Sequence, residues 1–170
     1  MADWVTGVIA GVSGIAGGAA TQWFTLIKES RVSKKARFRD MQFIGVELLL
    51  KLTELSEHCR KLSNDYGEAY FDSRNGLEET VPSVPVRGFT LEGIQGKWDA
   101  LPAELLFRIR ELPLTLASIE RFMGDVAKYD ESHYFNRRMD IYGKQAVRIE
   151  ALTEQLRVRC QLPENQDIHE

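Results

Sequence analysis

From Trp4 to Ile27 the chain carries no charged side chain, and six cations follow within the next twelve residues. No other feature restricts the fold so much. As a helix, this run reaches about 36 Å, enough to cross a hydrocarbon core of about 30 Å with some tilt. Trp4 stands at one end and Trp23 and Phe24 at the other, where aromatic belts meet the two membrane interfaces. No basic region precedes the run, so it is a poor signal peptide. The run is nevertheless dilute. It contains Gly7, Gly11, Gly14, Gly17 and Gly18 together with Ser13, Gln22 and three threonines. Its best 19-residue window reaches only about 1.2 on a hydropathy scale, under the level at which spans are normally assigned.

At 100° per residue, Val5, Val8, Ile9, Val12, Ile15, Trp23, Leu26 and Ile27 share one face. Gly7, Gly11, Gly14 and Gly18 form a stripe roughly opposite, twice in GxxxG spacing. In lipid such a stripe lets a second helix backbone approach closely, so packing supplies what hydropathy does not. The alternatives are a span whose glycines have no partner and a helix docked on another protein.

The cations Lys28, Arg31, Lys34, Lys35, Arg37 and Arg39 stand against only Glu29 and Asp40 in residues 28–40. This collar sets topology or meets lipid headgroups. By the positive-inside rule the N-terminus lies outside and the rest in the cytoplasm, at an inner (cytoplasmic) membrane. Residues from Met41 onward hold 16 basic and 22 acidic side chains. An acidic domain with only Phe38 interleaved in the collar excludes nucleic acid as the expected partner. Mean hydropathy over the whole chain is −0.28, an average that conceals this uncharged, basic, acidic order.

Phe38, Met41, Ile44, Leu48, Leu52, Leu55, Cys59, Leu62 and Tyr66 step by three or four residues, an amphipathic helix that Gly67 is placed to cap. Residues 67–97 contain Pro82, Pro85 and several glycines. They are expected to form a long crossover loop, with a turn at Asp72–Gly76 and extended structure over Val81–Arg87. A second helix, with Pro102 at its first position, carries Leu105, Leu106, Ile109 and Leu112, is broken or kinked at Pro113, and continues through Leu116, Ile119, Phe122, Met123 and Val126. A third runs from about His133 to Cys160 on Phe135, Met139, Tyr142, Ala146, Ile149, Leu152, Leu156 and Cys160, and Pro163 ends it. The expected architecture is all-α. An apolar helix over 1–27 and the collar over 28–40 lead into an antiparallel bundle of about three long helices over 41–163, with almost no sheet and an acidic tail over 164–170.

Phosphate-loop, dinucleotide, nucleophile-elbow and zincin motifs are absent from the sequence. His58 and Cys59 are adjacent and diverge by about 100° on a helix; with His133 and Cys160 they offer no zinc spacing, so neither metal nor cofactor is expected. Cys59 and Cys160 fall on apolar faces and are expected to be small buried hydrophobes. Glu78 and Glu79 lie in the loop with no base beside them. His133, Arg137 and Arg138 form a basic edge expected to be solvated. Trp98 and Asp99, ahead of Pro102, are expected to pack a helix entry or to offer a recognition surface.

The uncharged run, the collar, Asp65-Tyr66-Gly67, Trp98-x-x-Leu101-Pro102, Leu112-Pro113 and Leu162-Pro163 together resemble a group of small uncharacterised bacterial proteins with one N-terminal span and a helical cytoplasmic domain. The resemblance implies that architecture, but no activity and no site residues. The expectation is a non-enzymatic, single-span membrane protein acting on a protein partner or on a second copy of itself. Two alternatives stand beside it: a membrane-active effector that oligomerises through the glycine stripe, and a helical enzyme with an unrecognised site.

Overall fold

A computed structural model of the chain describes residues 3–72, 77–129 and 133–163, with side chains described for 32–71, 80–129 and 133–163. The glycine stripe, Lys28 and Arg31 therefore lie outside the described side chains, as do residues 73–76 of the expected turn and the 164–170 tail. The protein is mainly helical. Helix α1 spans Asp3–Ser63, α2 spans Ala103–Tyr129 and α3 spans Tyr134–Cys160. The chain divides into two compact units, Met1–Asp40 and Met41–Glu170. Among the described residues no helix is long and apolar enough to cross a membrane.

Within the second unit the apolar periodicities become the core. Ile44, Leu48, Leu52, Leu55, Cys59 and Leu62 of α1 are buried against Leu105, Ile109, Leu112 and Met123 of α2 and Tyr142, Ala146, Ile149, Leu152, Leu156 and Cys160 of α3. Their three- and four-residue steps put each set on one helix face. Tyr66, at the end of the predicted series, is exposed because α1 stops at Ser63. The Asn64 N–H closes that end on the Arg60 carbonyl. Gly67, with φ of 79°, therefore serves the turn beyond the helix and is not its cap.

The direction of the helices follows from cross-contacts. The Gln42 side-chain amide donates to the Cys160 carbonyl at 3.2 Å, while Arg60 pairs with Glu150. Arg108 pairs with Gln155 and Arg148 with Glu111. Helix α3 is thus antiparallel to both others, and α1 and α2 run in the same direction. The expected bundle is present, but one of its three helix pairs is parallel, and a parallel pair requires a connection that travels the length of the bundle.

Residues 64–102 make that journey. Strands β1 (Glu68–Asp72) and β2 (Leu77–Val81) form an antiparallel hairpin, with Glu68 opposite Val81 and Asp72 opposite Leu77. This hairpin replaces part of the expected loop. After it, Ser83 and Val84 lie beside Asp65, Phe89 is near His58, and Gly96 reaches Ile44. Asp65 and Ile44 are separated by about 31 Å at helical rise. Thirteen residues from Ser83 to Gly96 would span only about 20 Å as a helix, so this segment has to run extended. It does so as a strap: Val84, Val86, Phe89, Leu91 and Ile94 pack on the core, while the residues between them face solvent.

The strap ends in a 3-10 turn, Trp98–Ala100, which leads into α2. Pro102 lies just before that helix, its carbonyl accepting from the Leu106 N–H, one step earlier than the expected first helical position. Helix α2 continues through Pro113 without interruption. At the other end of the bundle Gln161 adopts φ 52°, and its N–H and that of Leu162 satisfy the last carbonyls of α3, a left-handed cap made without glycine.

Candidate functional site

Arg138 lies one turn before Tyr142 on the inner face of α3 and is buried, with 1% of its side chain exposed. The expectation of a solvated basic edge is overturned at this position. The helix turns Arg138 inward because it continues the series of Tyr142, Ala146 and Ile149. Its guanidinium donates to a carboxylate oxygen of Asp65, itself wholly buried, and to the Val84 carbonyl.

Asp65 is further held by the Ser83 hydroxyl at 2.6 Å and by the backbone N–H groups of Val84 at 2.9 Å, Gly67 at 3.0 Å and Ser83 at 3.3 Å. Burial by itself pushes the Asp65 carboxyl up. The Ser83 hydroxyl and the N–H groups of Val84, Gly67 and Ser83 outweigh that and hold it well below the usual carboxylate range. The cluster locks the end of α1, the start of the strap and the second turn of α3 to one another.

Next to it the strap and α1 leave a cleft of about 250 Å³, lined by Lys51, Glu54, Glu57, His58, Lys61 and Arg87 among others. A narrower slot of about 90 Å³ shares His58, Arg87 and Phe89 with that cleft and reaches inward to Cys59, Glu120 and Tyr142. Burial, then Arg87, Lys61 and Arg138, push the His58 imidazole below its ordinary value, against a weaker opposite pull from Glu54. Burial pushes the Tyr142 phenol up to about 12 and the Cys59 thiol up to about 11. Tyr142 therefore stands protonated as a donor and Cys59 as a neutral thiol. Among the described residues, Tyr142 Oη, His58 Nε2 and Arg138 Nε are buried without a hydrogen-bond partner. Such groups are uncommon in folded proteins, and each costs about 1–3 kcal/mol when left unmet.

Among the described residues no group of three or more His, Cys, Asp or Glu is placed to hold a metal ion. Cys59 and Cys160 are both buried free thiols. Cys160 Sγ lies beside Met41 and Gly45, and Cys59 is about 21 Å further along α1, too far for a disulfide. Trp98 is half-buried, with the Arg110 guanidinium over its ring 5.1 Å from the centroid; it packs the entry to α2. Asp99 beside it is exposed. Lys34, Lys35, Arg37 and Arg39 are exposed on α1.

The structure does not bring these expected residues together, and the polar cluster it does assemble was missed. The overlooked signal was Arg138 itself, a cation in register with the apolar face of α3. No family model, no curated protein and no solved structure matches the chain.

Proposed function

We propose that this protein is a single-span, membrane-anchored helical module that acts by binding a protein partner or a second copy of itself, without catalysis. Its charge-free run enters the membrane with the N-terminus outside, and the bundle stands in the cytoplasm. The reading rests on the order of charge-free run, cationic collar and bundle, and one structural observation supports it most directly. Phe43, Val46 and Leu50, three and four residues apart on α1, are exposed on one side of the helix, and Lys34, Lys35, Arg37 and Arg39 of the collar precede them, also exposed. Cations near a membrane surface gain about 1 kcal/mol each from anionic headgroups, and an exposed apolar stripe is a surface that association removes from water. The anchor is assigned to the charge-free run from Trp4 to Ile27, which precedes the collar.

Fractionation of tagged chains tests this. The full chain should sediment with membranes, resist alkaline carbonate and be released by detergent. A chain lacking residues 1–27 should be recovered without membranes. Equal recovery of both outside the membrane fraction would refute the anchor.

A further inference from the structure

We infer that the slot between α1, the strap, α2 and α3 binds a small organic carboxylate, which enters head first and accepts hydrogen bonds from Tyr142 and His58 beside the Arg87 guanidinium. The argument begins with the donors. Tyr142 is only 2% exposed, lines the slot, and leaves its hydroxyl without a partner there. His58 lines both slot and cleft, and its Nε2 is likewise unmet. The side chains of Leu55, Leu62, Val86, Phe89, Pro113 and Leu116 offer no hydrogen bonds, and the slot's other polar side chains are Cys59, Arg87 and Glu120. A guest that brings acceptor atoms to Tyr142 and His58 meets the Arg87 guanidinium there as well, while the charge of the Glu120 carboxylate, which acts on Tyr142, opposes it.

Size and charge narrow the class. A volume of about 90 Å³ accommodates about three water-sized groups, which is the carbon and two oxygens of a carboxylate. The charged groups facing His58 are Lys61 and Glu54 of α1, Arg87 of the strap and Arg138 of α3. Glu120 of α2 lines the slot and Glu57 the cleft. Glu54 already meets Lys51 at 4.0 Å. The cations closest in effect to His58, Arg87 and Lys61, thus face an anion entering from the cleft, whose larger volume takes the rest of the guest.

Formate and acetate are the probes, titrated into the full chain at constant ionic strength set with sodium chloride, with the His58 imidazole followed by NMR. An anion in the slot offsets the cations that now disfavour imidazolium, so the His58 pKa should rise in a saturable manner. Acetamide, the same shape without charge, should bind at least about tenfold more weakly. Tyr142→Phe should weaken acetate about tenfold, while its melting temperature stays equal or rises, because the variant removes a buried hydroxyl that has no partner. Arg87→Gln, on the exposed strap, should also weaken acetate. Absence of saturable binding means that the slot holds only water and overturns the inference. Equal binding of acetamide, or unchanged acetate affinity in a folded Tyr142→Phe chain, overturns it as well. None of these readouts depends on the membrane anchor.

Discussion

The guanidinium of Arg138 donates to the carboxylate of Asp65 across 73 residues of chain, with both side chains shut away from solvent. The pair is not isolated. Asp65 also receives Ser83, Val84 and Gly67, and Arg138 also reaches the Val84 carbonyl. A charge removed from water is tolerated when its remaining lone pairs and protons are satisfied. Here the strap supplies most of that satisfaction, so the ion pair and the path of the connection depend on each other.

Replacing one member should therefore cost far more than a surface pair would. Asp65→Ala leaves the Arg138 cation buried and uncompensated, and should lower the unfolding free energy by about 3–5 kcal/mol. Lys144→Ala, which removes the exposed pair with Asp140, should change it by less than about 1 kcal/mol. Urea unfolding followed by circular dichroism compares the two. A loss in Asp65→Ala no larger than in Lys144→Ala would show that the cluster does not hold the fold.

The same carboxylate should govern acid stability. Its ordinary value is 3.8, and the fold holds it below that. A depressed carboxylate contributes stability that is fully present above the unfolded value and disappears as the pH falls through the folded one. Stability should therefore be flat in this group above about pH 5 and decline below pH 4. Denaturant midpoints measured from pH 7 to pH 2 should show a shallower acid slope in Asp65→Asn, once its lower starting stability is taken into account.

Two glycines in helices should respond oppositely to alanine. A Cβ on Gly45 would stand 2.6 Å from Cys160 Sγ and 3.0 Å from Cys160 Cβ, whereas one on Gly124 meets nothing within 4 Å. Gly45→Ala should cost about 1–3 kcal/mol through overpacking between α1 and the end of α3. Gly124→Ala should gain about 0.5–1 kcal/mol by restricting the unfolded backbone. Thermal melts of the two variants settle the comparison, and equal shifts would contradict the close approach at Gly45.

Both thiols should resist modification in the folded chain. Burial pushes Cys59 up to about 11 and also raises Cys160, and the reactive species is the thiolate. Iodoacetamide at pH 8 should label neither within minutes without denaturant, and both rapidly in guanidinium, with intact mass as the readout. Rapid labelling of native Cys59 would mean that the slot opens much further than its 90 Å³.

The sequence by itself determined the helices and their inward faces. Ile44 to Leu62, Leu105 to Val126 and Tyr142 to Cys160 recur at three and four residues, a period set by helix geometry whatever the neighbours are. The alternation at Val84 and Val86 was equally present in the chain, but a few residues of period two do not say which surface they cover. Only the tertiary structure decided that α1 and α2 run parallel, that an extended strap must then cross the bundle, and that Asp65, Ser83, Val84 and Arg138 converge at its start. The slot has the same origin, since His58, Arg87 and Tyr142 lie on three elements far apart in sequence. Periodicity is a local property of one segment, whereas the meeting of a buried charge with its counter-charge is fixed by how those segments close on one another.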